Sequence, residues 1–222
     1  MEIFRKLENI VELYFNQQYC FYKSKDANNL EIKKNFIFDS RAHFLEAYLD
    51  YYRNLSNLDS AITDGCNAKF KISFNEKEYE LKHTHQEEFE DNDGNTRGVN
   101  NIILLEMADK LAKKNNHLKL ANSFDDVYKT VKSSKVRGFG ELSIYDTAVR
   151  ISTYLRFKPE QVFLHAGARE GVNYLEMKGI LPTGSSRKET LRVGEFPEPL
   201  QKLDTVQLEN FLCSFKNDIN KI

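Results

Sequence analysis

The sequence is short of cysteine. It has only three cysteines among 222 residues, Cys20, Cys66 and Cys213, and no two of them stand at the Cys-x-x-Cys spacing. Zinc fingers and disulfide-bonded scaffolds both require regularly spaced cysteines, so neither class of protein is indicated. We therefore expect reduced thiols and a cytoplasmic protein.

Long apolar runs and net charge are also lacking. No stretch reaches the roughly 20 consecutive apolar residues that span a bilayer. The N-terminal segment is charged and amphipathic and has no apolar core of the kind found in signal peptides. We expect no association with a membrane. The formal net charge is -1, so any nucleic-acid binding must depend on a local basic patch.

The residues that are present indicate a folded protein, with 41% apolar and 29% charged residues. Apolar residues recur at helical spacing in most segments, so we predict a single mainly helical (mainly α) domain over 1–222, with a possible sub-boundary in the acidic loop 86–97. From Phe70 to Leu81 the apolar residues alternate instead, which predicts a small antiparallel β-hairpin. The aromatic clusters within 19–38 indicate a loop or a short strand pair.

An unusual turn follows the predicted helix that begins after Ser123. Gly138-Phe139-Gly140 comes after a basic segment and before a second helical pattern. Two glycines let the backbone turn tightly and approach another surface, while Phe139 can anchor the turn in the core. The free amides at the start of the next helix favour an anion.

This arrangement resembles the helix-hairpin-helix DNA-binding motif. The resemblance covers Gly138, Phe139 and Gly140, with Val136 and Ala148 as packing positions. It implies that the amides of the hairpin hold a DNA phosphate without reading the base sequence. A purely structural corner between two helices explains the same pattern, and both interpretations stay open.

Basic residues cluster in the sequence around this turn. Phosphate neutralisation by lysine and arginine gives an affinity that is independent of sequence and sensitive to salt. The local excess of lysine and arginine therefore favours nucleic acid as the partner. The predicted nucleic-acid-binding residues are Lys135, Arg137, Gly138, Phe139, Gly140, Ser143 and Arg150.

The chain length and the position of the turn are also similar to those of helix-hairpin-helix DNA glycosylases. That resemblance implies a catalytic aspartate downstream of the hairpin and, in bifunctional members, a lysine where this chain has Leu142. Neither residue stands at its expected position, so only a divergent enzyme with a displaced acid stays an alternative. The candidate catalytic residues are Asp146, Glu160 and His165.

Two of these candidates lie in segments with a further resemblance. Segments 145–151 and 164–167 are similar to an uncharacterised bacterial family, which implies no function. Asp146 and Arg150 are spaced for an i,i+4 ion pair on a helix. With His165 they form a cluster that could share one pocket.

A metal site is not predicted. His83 and His85 would point to the same face of an extended strand, and with Glu87 and Glu88 nearby they could bind a metal. The spacing fixes no third ligand, so we predict neither a metal nor a cofactor.

Three hypotheses follow from the sequence. The first is a DNA-binding protein, or more broadly a nucleic-acid-binding one, that uses the hairpin on phosphate. The second is a glycosylase-like base-excision enzyme. The third is a helical protein-interaction module in which the Gly-Phe-Gly turn is only a corner.

Overall fold

The computed structural model of the chain describes residues 2–90 and 93–222, so Asp91 and Asn92 of the acidic loop lie outside it. Its helices are α1 (Glu2–Asn16), α2 (Arg41–Arg53), α3 (Leu58–Asn67), α4 (Asn101–Ala112), α5 (Asn115–Lys119), α6 (Phe124–Ser133), α7 (Glu141–Tyr154), α8 (Ala166–Met177), α9 (Thr205–Ser214) and α10 (Lys216–Lys221). Its strands are β1 (Tyr19–Lys25), β2 (Glu31–Phe38), β3 (Lys69–Phe74), β4 (Lys77–Lys82), β5 (Phe89–Glu90), β6 (Thr96–Arg97), β7 (Val162–Phe163) and β8 (Thr190–Leu191). Short 3-10 helices cover Ser185–Arg187, Val193–Glu195 and Glu198–Lys202.

The prediction of a mainly helical protein is wrong. The structure is 54% helical and 16% strand, a mixed α/β protein whose described strands form four small two-stranded antiparallel sheets. The β1–β2 pair is hard to recognise in the sequence, because a lysine stands at an inward-facing position of β1 where an apolar residue is expected. Lys23 is only 5% exposed and donates to the carbonyl oxygen of Lys82 at 2.9 Å. Strands β5 to β8 have two residues each, too few to show a period of two.

The predicted hairpin at 70–81 is confirmed. Strands β3 and β4 pair in antiparallel fashion, with Phe70 opposite Leu81 and Ile72 opposite Tyr79. The connecting residues Asn75 and Glu76 have φ values of 49° and 63°. Two successive left-handed residues match the right-handed twist of the strands, so the chain reverses in a two-residue turn.

The chain divides into two compact units. The first unit comprises the chain up to Tyr19, Ile37–Leu45 and Pro159–Ile222, and the second comprises Cys20–Phe36 and Glu46–Lys158. The segment 86–97, which was predicted to hold a boundary, falls in the second unit.

Close packing of α8 and α9 organises the first unit. A Cβ atom added at Gly171 would lie 2.6 Å from the carbonyl oxygen of Leu212, so the glycine lets the two helices approach each other. The chain at Pro159 is irregular and leads into β7. The buried residues of this core are Leu7, Ile10, Val11, Tyr14, Val162, Leu164, Ala168, Val172, Leu175, Leu181, Leu191, Phe196, Leu200, Leu203, Leu208, Phe211, Leu212 and Ile219.

Helices α3, α4, α6 and α7 form the centre of the second unit, where α3 packs on both α4 and α7, and α6 packs on α7. Ser123 caps α6 as predicted, because its Oγ accepts a hydrogen bond from the amide of Asp126 at 3.2 Å. Tyr48 and Tyr52 of α2 are buried. Among the described residues, no helix is both long enough and apolar enough to cross a membrane.

Candidate functional site

The Gly-Phe-Gly turn lies between α6 and α7, as the sequence predicts. Gly138 has a φ of +90°, a conformation that other residues rarely adopt, and a Cβ atom there would lie 2.6 Å from Cδ1 of Ile103. Phe139 is fully buried, and Val136 is 4% exposed. The buried side chains of Val136 and Phe139 therefore hold the turn against the core, while Arg137, Gly138 and Gly140 are exposed.

Helix α7 begins without a side-chain cap. Gly140 is its N-cap residue and has no side chain to accept the first amides, and a Cβ atom there would meet nothing within 4 Å. The first amides of a helix have no partner within the helix and carry a partial positive charge. The start of α7 therefore offers amide donors beside the turn that no N-cap side chain satisfies.

Five cations from two stretches of chain lie around this turn, four of them exposed and Lys114 half-buried, and we call them the basic cluster: Lys110, Lys114, Lys132, Lys135 and Arg137. Lys110 donates to the carbonyl oxygen of Lys135 at 3.2 Å, and Lys114 donates to Oγ of Ser133 at 2.8 Å. The last turn of α4 and the link to α5 thus add two positive charges that do not adjoin the turn in sequence.

One carboxylate opposes the basic cluster. Glu141, the first residue of α7, lies 3.1 Å from Nζ of Lys135 and 3.9 Å from Nζ of Lys132. All three side chains are about half exposed, so these ion pairs are weak and readily exchanged. Arg137 is exposed, and no ion pair to it is found among the described residues.

Two residues predicted to bind nucleic acid lie inside the protein instead. Ser143 is 5% exposed and Arg150 is 1% exposed. Neither side chain faces solvent, so neither belongs to the surface formed by the basic cluster. Phe139 is likewise buried, and it contributes to this surface only by fixing the turn.

Arg150 is the centre of a buried polar network. Its guanidinium donates to the carbonyl oxygen of Gly65 at 3.0 Å, to Oε1 of Gln86 at 2.9 Å and to the phenol oxygen of Tyr48. It also contacts Oδ2 of Asp146 at 3.4 Å, which confirms the predicted i,i+4 pair. A guanidinium keeps its charge in proteins, so this network compensates a permanent buried cation.

Asp146 is the acidic member of this network. His85 Nδ1 lies 3.0 Å from its Oδ2, and Gln86 donates to the same oxygen at 3.2 Å. Burial alone would raise the pKa of Asp146, but the hydrogen bond from His85 and the charge of Arg150 hold that pKa well below its ordinary value. The carboxylate is therefore ionised at neutral pH.

Two histidines complete the group. The rings of His83 and His85 meet edge to face with centroids 4.6 Å apart, and the ring of Tyr48 lies 5.2 Å from that of His83. His83, His85 and Asp146 each offer one possible metal-ligand atom, and these atoms all lie within 4.8 Å of one another. The fold thus supplies the third ligand atom that sequence spacing did not.

The remaining catalytic candidates belong to the first unit. Glu160 is exposed in an irregular segment before β7. His165 is half-buried at the N-cap of α8, where its ring stacks on Phe163 at a centroid distance of 5.8 Å. Asp146 belongs to the second unit, in a network with Arg150, His85 and Gln86.

Sequence reasoning missed Gln86 and Tyr48 as members of the Arg150 network. Gln86 is fully buried although it follows a polar, histidine-rich segment, and Tyr48 is one of several tyrosines on α2. Their contacts with Arg150 join positions that are 64 and 102 residues apart in sequence, so the spacing of nearby residues cannot predict them. Comparisons with known proteins add no further candidate, because no family, curated protein or solved structure matches the chain.

Proposed function

We propose that the protein binds nucleic acid, in the first instance double-stranded DNA, through the Gly-Phe-Gly turn and the basic cluster. The observation that carries this proposal is the combination of an exposed, uncapped start of α7 with exposed cations around it. Backbone amides and lysine or arginine side chains are the groups that contact phosphates, and they do not distinguish bases. The proposed binding is therefore independent of sequence, and its proposed setting is the cytoplasm.

The charge distribution supports binding of nucleic acid at one local surface and not a general attraction by the whole chain. The whole chain has a formal net charge of -1, so long-range attraction to a polyanion is absent. The basic cluster, by contrast, has five cations, and Glu141 forms ion pairs with two of them, Lys132 and Lys135. Each phosphate contact by such cations releases counterions, which makes the affinity fall steeply with salt.

Replacing Arg137 with glutamine should weaken DNA binding. Arg137 is exposed beside the left-handed Gly138, so its loss removes a phosphate contact without disturbing the core. We expect the slope of log affinity against log salt to fall in magnitude by about one. Fluorescence anisotropy of a labelled duplex, titrated at several sodium chloride concentrations, measures this slope.

The control for Arg137→Gln is Lys77→Gln, which removes the same charge from an exposed position at the start of β4 in the same unit. This variant should bind as the parent protein does. If the parent does not bind duplex at low salt, the proposal fails. An equal loss of affinity in both variants would show that DNA is attracted by the overall charge and does not bind specifically at the turn.

Replacing Glu141 with glutamine should strengthen binding. The substitution removes a negative charge at the turn and frees Lys132 and Lys135. A unit charge at 4 Å in water is worth about 1 kcal/mol, which corresponds to about fivefold in affinity. The same anisotropy titration detects the gain.

Glu78→Gln is the matched control for Glu141→Gln, since Glu78 forms an exposed pair with Lys71 at 2.9 Å on the β3–β4 hairpin. We expect no change in affinity for Glu78→Gln. If Glu141→Gln also leaves the affinity unchanged, the phosphate is not bound near the start of α7.

A further inference from the structure

We propose that His83, His85 and Asp146 form a binding site for one divalent transition-metal ion of the zinc type. The two histidines come from the chain just after β4 and the aspartate comes from α7. This site is independent of the proposed nucleic-acid surface, because none of its ligands belongs to the basic cluster.

The spacing of the ligand atoms suits a first-row metal. With bonds of about 2.1 Å, two neighbouring ligands lie about 3.0 Å apart at a right angle and about 3.4 Å apart in a tetrahedron. The distance between His85 Nδ1 and Asp146 Oδ2 is 3.0 Å, and the His83 ligand atom lies within 4.8 Å of both. The three ligand atoms are thus grouped around one point, although they belong to two separate segments of the chain.

The carboxylate is already held in position. Gln86 and Arg150 both donate to Oδ2 of Asp146, and Gln86 in turn accepts from Arg150 at 2.9 Å. Partners of this kind orient metal-binding carboxylates and are costly to remove. All the side-chain hydrogen bonds found for Asp146 within the described chain end on Oδ2, so this oxygen is fixed beside Nδ1 of His85.

Charge decides which ions fit. Asp146 and Arg150 together are neutral, so the site attracts a cation little by charge alone. Calcium and magnesium depend on oxygen ligands and negative charge, whereas zinc, cobalt and nickel bind well to imidazole nitrogen. Two imidazoles with one carboxylate therefore select the second group of metals.

The site keeps room for a further ligand. The side chain of His85 is 35% exposed and that of Asp146 is 14% exposed, so the site lies at the edge of the interior and not deep within it. Sites with three protein ligands complete their coordination with water or a small molecule. The bound metal would thus carry at least one exchangeable position.

The alternative is that His85 and Asp146 are a simple hydrogen-bonded pair. His43 provides a matched comparison, because its Nδ1 lies 3.1 Å from Oδ2 of Asp39 in an exposed pair. No second histidine joins the His43 pair in a metal-ligand group among the described residues. A true metal site therefore responds to changes at His83 and His85 and not at His43.

The test uses the full chain without a histidine tag. Isothermal titration with zinc should show one saturable site, and cobalt(II) should give visible d–d absorption bands that indicate its coordination. His83→Ala and His85→Ala should each weaken zinc affinity by about tenfold or more. His43→Ala should leave it unchanged, and magnesium should show no saturable binding at the same concentrations.

The two histidine substitutions keep the proposal falsifiable even if Asp146→Asn does not fold. Circular dichroism first establishes that each variant retains the parent spectrum. Absence of saturable zinc binding in the parent, or an equal loss in His43→Ala, would leave only the hydrogen-bonded pair. DNA is absent from this titration, so its outcome is separate from that of the duplex-binding experiments.

Discussion

Arg150→Met is expected to lower the free energy of unfolding by about 3–5 kcal/mol. Arg150 is 1% exposed, and its removal takes a donor from the carboxylate of Asp146, from the carbonyl oxygen of Gly65 and from Oε1 of Gln86. Methionine fills a similar volume, so the loss reports the missing hydrogen bonds more than a cavity. Urea unfolding followed by circular dichroism measures it, since the chain has no tryptophan.

The control for Arg150→Met is Arg156→Met. Arg156 is exposed and donates to the carbonyl oxygen of Arg53 at 2.9 Å, so its replacement should change the stability by no more than about 0.5 kcal/mol. A loss below about 1 kcal/mol for Arg150→Met would contradict the network, because an uncompensated buried polar group costs at least that much.

The double variant Arg150→Met/Asp146→Asn separates the charge from the packing. Without Arg150 the half-buried Asp146 carboxylate keeps its negative charge but loses the guanidinium paired with it. Neutralising it should recover part of the loss, with a coupling energy of about 0.5–3 kcal/mol. Strict additivity of the two single changes would show that Asp146 and Arg150 do not act together.

This network also marks the limit of what the sequence could predict. The i,i+4 spacing of Asp146 and Arg150 on α7 predicts their contact, because both ends belong to one helix. Their remaining partners lie on α2, on α3 and after β4, so only the folded chain brings them together. A buried arginine has the same sequence signature as an exposed one, and the prediction that Arg150 contacts a phosphate followed from that ambiguity.

Local patterns were reliable where a single element determines them. The alternation from Phe70 to Leu81 predicted the β3–β4 hairpin, and the position of Ser123 predicted the start of α6. The role of Gly171 was not predicted, because a glycine within a helix has no local pattern that reports its contacts. In the structure it permits the contact of α8 with the backbone of α9, a reason that depends on tertiary packing.

Phe139→Ala is the second substitution with a large expected effect, a loss of about 3–5 kcal/mol in the free energy of unfolding. The side chain is fully buried and lies between two exposed glycines, so it is the anchor of the turn. Phe139→Leu keeps most of the apolar volume and should cost less than about 1.5 kcal/mol. Phe89→Ala is the control, since the Phe89 side chain is 52% exposed and should contribute far less.

Phe139→Leu also tests whether Phe139 only anchors the turn or contacts nucleic acid itself. Because Phe139 is buried beneath the turn, Phe139→Leu should retain the amides of α7 in place and bind duplex DNA as the parent does. Phe139→Ala should lose binding in parallel with its loss of stability, since the turn then has no fixed position. If Phe139→Leu stays folded but no longer binds, the aromatic ring itself contacts the nucleic acid, and the turn must open to expose it.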